Sequence, residues 1–123
     1  STMKTLNWIL AVLFALFAAV QYNDPDPFGW IAVYGAVAAL CALGAMGRAP
    51  RWALLAVAIV VLIWMVTLAP GMLDWARMGF PTIVGSMKAE APHVEVVREF
   101  LGLLVALLAL LHLLRLAGRA AKG

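Results

Sequence analysis

The sequence predicts an all-α, polytopic membrane protein: a bundle of four transmembrane helices that occupies the whole chain as one domain. Three observations lead there. First, hydrophobic residues make up 66% of 123 positions and charged residues 12%, against roughly 25% charged in soluble domains. A soluble domain of this size still leaves about a third of its surface in water, so lipid has to cover what such a composition cannot bury; the mean hydropathy of +1.01 agrees. Second, the apolar positions fall into four runs, each separated from the next by turn-forming or charged residues. Third, the charges are divided between the two ends of these runs. All six acids (Asp24, Asp26, Asp74, Glu90, Glu95 and Glu99) lie after the first run or around the connection between the third and fourth. The termini and the remaining connection carry Lys4, Arg48, Arg51, Arg115, Arg119 and Lys122 without an acid. Basic ends remain in the cytoplasm, which predicts a bacterial inner-membrane type of protein with both termini cytoplasmic and an acidic extracytoplasmic face.

The first helix is expected over about 6–21. Its run from Leu6 to Val20 is short for a span unless Asn7 and Gln21 sit at the interfaces. Lys4 followed by this run also fits a signal peptide, but no small-x-small cleavage site precedes Asn23. The stretch Gln21-Tyr22-Asn23-Asp24-Pro25-Asp26-Pro27 ends it. The second helix, about 28–47, is entered through Asp26 as N-cap and Pro27 as first helical residue. Gly29, Ala32, Gly35, Ala36 and Ala39 give it a small-residue face that permits close helix approach, within one chain or with a second copy or another membrane protein. Gly47-Arg48-Ala49-Pro50-Arg51 is a tight basic turn, and the third helix follows over about 52–69. Pro70-Gly71 then opens an extracytoplasmic loop over about 70–93, containing a short interfacial helix with Trp75 at headgroup level. The fourth helix, about 94–116, is rich in leucine and ends among Arg115, Arg119 and Lys122.

The net charge of +3 raises nucleic acid as a partner to be weighed. Because the basic residues stand at helix ends, an orientation signal explains them and nucleic acid is not expected. The lone cysteine, Cys41, lies in an apolar run and excludes an intrachain disulfide or a Cys-based zinc centre. Phosphate-binding glycine loops, HExxH, nucleophile elbows and CxxC are absent.

Two constellations can carry chemistry. Gln21, Asn23, Asp24 and Asp26 concentrate carboxylate and amide oxygens within six residues, as a hard cation requires. Glu95, Arg98, Glu99 and Gly102 share one face at the start of the fourth helix. Two like charges four residues apart repel, and in a dehydrated setting they call for a shared proton or a cation between them. Arg98 suits a bidentate hold on a carboxylate or a bound anion. The plain alternatives are a capped turn and a charged helix end that reaches out to headgroups. His93 is a further possible ligand; His112, alone among leucines, is too weak a signal for haem or metal. Trp30 and Tyr34 are either aromatic-belt residues or the wall and hydrogen-bond donor of a pocket.

Gln21-x-Asn23-Asp24-Pro25-Asp26-Pro27-x-x-Trp30-x-x-x-Tyr34-Gly35, with Arg98-Glu99-x-x-Gly102-Leu103 in the last span, resembles the transmembrane protein 220 family of small four-helix membrane proteins. The resemblance implies a fold and two signature segments, and no catalytic residues. The expected function is binding at the acidic face: a divalent cation on Asp24, Asp26, Glu95, Glu99 and His93, or a polar lipid headgroup on Gln21, Asn23, Trp30, Tyr34 and Arg98. Mostly oxygen ligands favour calcium, and His93 leaves zinc open. The alternatives are a membrane enzyme using Glu99 or Asp24 as general acid–base on a lipid-type substrate, and an assembly protein without a small ligand.

Overall fold

The structure, a computed structural model, describes residues 2–23, 27–80 and 92–122. Four helices follow in order: α1 (Thr2–Val20), α2 (Pro27–Ala45), α3 (Arg51–Arg77) and α4 (Pro92–Lys122), with a 3₁₀ turn at Gln21–Asn23 closing α1 and no strand among the described residues. Each helix is long and apolar enough to cross a membrane. The 19 residues of α1 extend roughly 28 Å at 1.5 Å per residue, close to the thickness of a bilayer's hydrocarbon core.

The chain folds as two antiparallel hairpins. α1 packs chiefly on α2 and α3 chiefly on α4, and α2 touches both helices of the second hairpin. Phe14, Val37, Cys41, Leu54, Val61, Leu103 and Leu110 are fully enclosed where these helices meet. Ile9, Val12, Leu16, Ile59, Ile63, Val66 and Leu108 stay more than half exposed. In water such an apolar coat would aggregate; in a bilayer it is the surface that lipid covers. Trp52, 75% exposed at the start of α3, stands where an interfacial indole belongs.

Lipid tails are as apolar as leucine, so helices in a bilayer associate through close packing, and glycines supply it here. A methyl group added to Gly44 of α2 would stand 2.7 Å from Leu113 of α4, and one on Gly71 of α3 would stand 2.5 Å from Val96 of α4. Gly29 of α2 takes the edge of Trp64 of α3, 3.2 Å from where its Cβ would be. Gly35, from the same small-residue face, meets nothing within 4 Å.

Boundaries differ from the sequence expectation: α1 starts earlier, at Thr2, α4 runs on to Lys122, and the largest change is in α3. The third helix does not stop at Pro70-Gly71: α3 continues unbroken to Arg77, with Pro70 inside it, so the interfacial segment around Trp75 is its last turns and not a separate short helix. Proline costs a membrane helix one backbone hydrogen bond, which local adjustment and neighbouring helices make tolerable. Gly71, in turn, is used for packing against Val96. The actual stop is Gly79, at φ 87°. There the Gly79 amide donates to Ala76 O (3.1 Å) and the Phe80 amide to Trp75 O (3.2 Å), while the rings of Trp75 and Phe80 meet edge to face at 5.0 Å. Those bonds and that apolar contact form a Schellman cap. α2 ends the same way, with Gly47 at φ 72° and the Arg48 amide donating to Leu43 O at 2.8 Å. At 27 residues α3 is roughly 40 Å long, so it outreaches the hydrocarbon core and carries Trp75 toward the headgroups.

Candidate functional site at the acidic end

The end of α1, the start of α2, the end of α3 and the start of α4 lie at the same end of the bundle, as antiparallel neighbours must. Gly71 against Val96 fixes the level of α3 relative to α4, and Gly102 against Tyr34 fixes that of α4 relative to α2. Within this end, an aromatic cluster forms the floor. Tyr34 stacks on Phe14 (6.2 Å between ring centroids) and Trp30 (5.9 Å), and meets Phe17 edge-on at 5.7 Å. Trp30 in turn lies 4.1 Å from Trp64 of α3. Rings from α1, α2 and α3 are thereby joined, and α4 completes the arrangement by presenting Gly102, which has no side chain, to the Tyr34 hydroxyl.

Trp30 and Tyr34 are 6% and 5% exposed. They are core residues of the bundle, which rules out the aromatic-belt reading; the Tyr34 hydroxyl is a polar atom of the floor, beside the indole N–H groups of Trp30 and Trp64. Above it, Arg98 and Glu99 are both half-buried, and the Glu99 carboxylate is near enough for its charge to act on the Tyr34 hydroxyl. Glu95, one turn nearer the helix start, is exposed, where it faces the positive end of the helix dipole. Asp74 is also exposed and stands 4.0 Å from Arg77, a surface pair of little energetic weight.

Gln21 turns inward on its own helix: its Nε2 donates to Phe17 O at 3.1 Å and satisfies one of the carbonyls left over where α1 ends. Asn23 closes the 3₁₀ turn. Its side chain, that of His93, and Asp24 and Asp26 entirely lie outside the described residues. Pro27 opens α2 as its first residue, the position where a missing N–H costs nothing. Among the described residues no three His, Cys, Asp or Glu side chains converge as metal ligands do. The structure thus brings Tyr34, Glu99 and Gly102 together around the aromatic floor, with Arg98 beside them in sequence.

The sequence reading passed over a second polar contact, at the basic end. His112 Nε2 donates to Asn7 Oδ1 at 2.8 Å, linking α4 to α1 across 105 positions of chain. Asn7, expected at the interface, is 2% exposed. A signal for this pairing was present: Asn7 is three residues inward from Lys4 and His112 three inward from Arg115, so two basic interface markers set them at equal depth.

The fold agrees with the family comparison. The family described as "Transmembrane family 220, helix" matches residues 13–115. The match covers most of the chain, which therefore belongs to that family of small membrane proteins. No curated protein and no solved structure matches the chain.

Proposed function

We propose that the acidic end of the bundle binds a polar lipid headgroup that carries both a phosphate and an amine. The observation that supports this is the half-buried pair Arg98–Glu99 at the head of a lipid-facing stripe on α4. Leu101, Val105 and Leu108, three, seven and ten residues beyond Arg98, are all exposed and lie on one side of the helix. An acyl chain lying along that stripe brings its phosphate to the guanidinium, which can hold two oxygens at once. The Glu99 carboxylate then receives the amine, with the Tyr34 hydroxyl beneath it. Adjacent charges of opposite sign at one depth suit a zwitterion better than an ion of either sign alone. This reading takes the acidic end as extracytoplasmic and both termini as cytoplasmic, in a membrane of bacterial inner-membrane type, because the opposite end carries Lys4, Arg48, Arg51, Arg115 and Arg119.

A divalent cation is the second reading, favoured by Glu95 and Glu99 one turn apart and by Asp24 and Asp26 in the α1–α2 connection. Calcium suits such a set of oxygens, and a His93 nitrogen would admit zinc.

Native mass spectrometry of the full chain in detergent, with phosphatidylethanolamine and phosphatidylglycerol in competition, tests both. The headgroup reading expects retained phosphatidylethanolamine, loss of that preference in Glu99→Gln, and loss of both lipids in Arg98→Ala. Equal retention in all three proteins refutes it. Near-stoichiometric calcium or zinc by elemental analysis, lost in Glu99→Gln without change in lipid retention, moves the assignment to the cation.

A further inference from the structure

The two hairpins depend on α2 for most of their mutual contact, and α1 touches the second hairpin sparingly. At the basic end, however, α1 and α4 are joined directly by the hydrogen bond from His112 Nε2 to Asn7 Oδ1, 2.8 Å long and deep enough to leave Asn7 2% exposed. We infer that this pair is a clasp: it fixes the docking of the first hairpin on the second, and releasing it lets α1 swing away from α4.

Three features of the site support a clasp over an incidental contact. A carboxamide enclosed among apolar helices has nowhere else to place its polar atoms if α1 separates, since lipid accepts no hydrogen bond. The α2 backbone lies on the third side: a Cβ on Gly44 would stand in van der Waals contact with Asn7 Nδ2, at 3.5 Å. The ring nitrogen also meets the carboxamide oxygen directly, with Nε2 as donor and Oδ1 as acceptor, so the contact depends on how α1 and α4 are placed. Between the two ends the bundle is filled by Val37, Leu40, Cys41, Ala106 and Leu110, all buried.

Interhelical hydrogen bonds of this kind shift a closed-to-open equilibrium by about three- to twentyfold. The test uses the full chain in lipid nanodiscs, with spin labels at Ile9→Cys and Leu111→Cys, both lipid-facing, in a Cys41→Ala background. Pulsed electron resonance should give one narrow α1–α4 distance for the parent. Asn7→Leu and His112→Leu should each broaden it toward longer distances, and the double variant should be no broader than either single one. His112→Gln, which keeps an N–H donor, should stay closer to the parent than His112→Met of similar size; this second comparison decides the matter should Asn7→Leu fail to fold. Unchanged distances in the single variants, additive effects in the double, or equal behaviour of His112→Gln and His112→Met would overturn the clasp.

Discussion

The hydroxyl of Tyr34 occupies the space in which a side chain on Gly102 would begin. That contact makes α4 and α2 neighbours at the acidic end, and it sets how near Glu99, one turn before Gly102, comes to the aromatic floor.

Gly102→Ala should therefore destabilise the bundle by about 1–3 kcal/mol, the usual cost of forcing an extra methyl into a filled site. Gly35→Ala is the control, because a methyl there meets nothing within 4 Å. Tyr34→Phe removes the oxygen that the new methyl meets, so Gly102→Ala should cost less in that background. Unfolding by steric trapping in bicelles checks all four proteins; an equal cost for Gly102→Ala and Gly35→Ala would contradict the contact.

Truncation of the aromatic floor separates packing from solvent transfer. Trp30 is enclosed by Tyr34 and Trp64, and in water its loss would cost about 3–5 kcal/mol. In a bilayer the transfer contribution is largely gone, and the lost contacts remain. Trp30→Ala should accordingly cost about 2 kcal/mol and change the emission of Trp64, its ring neighbour at 4.1 Å. Fluorescence in a background with Trp8, Trp52 and Trp75 replaced by phenylalanine, with and without Trp30, measures the second effect.

The third helix shows where the sequence was legible and where it was not. Four apolar runs, Pro27 at the start of α2 and the basic turn at Gly47-Arg48 mark the spans, because charge and turn chemistry act locally. Pro70-Gly71 reads as a stop by the same local rules, yet Gly71 is there to admit Val96, from a helix still ahead in the chain. The stop was written nine residues on, as Gly79 followed by Phe80 and Pro81. The charged face of α4 was likewise legible through its spacing, whereas burial of Trp30 and Tyr34 depended on three other helices. The Asn7–His112 bond joins residues whose only shared property in sequence is depth.

Pro70→Ala tests the continuous helix. If Pro70 ends α3, alanine should add several helical residues; within a helix it restores one hydrogen bond and adds none. Circular dichroism should thus show unchanged helicity, together with equal or slightly higher thermal stability. Gly71→Ala should be costly, and Val96→Ala should relieve it, because the added methyl would lie 2.5 Å from a Val96 methyl. An increase in helix content on replacing Pro70 would return the boundary to residue 69.

Charge position, finally, gives a prediction about orientation that is separate from any ligand. Buried Cys41 should resist aqueous thiol reagents, so single cysteines can be placed against a silent background. Arg48→Cys, in the basic turn, should react only when a membrane-impermeant maleimide reaches the cytoplasmic side, and Met78→Cys, 56% exposed in the parent at the end of α3, only from the opposite side. Arg48 and Arg51 both flank this short turn, where basic residues weigh most in orientation. Replacing the two together with glutamate should weaken or invert the labelling pattern, whereas Arg77→Ala should leave it unchanged, because Arg77 stands 4.0 Å from Asp74 on an exposed surface and lies on the side that basic residues do not govern. Labelling of the Arg48 and Met78 sites from one and the same side would contradict the alternation of the four spans as well as the orientation.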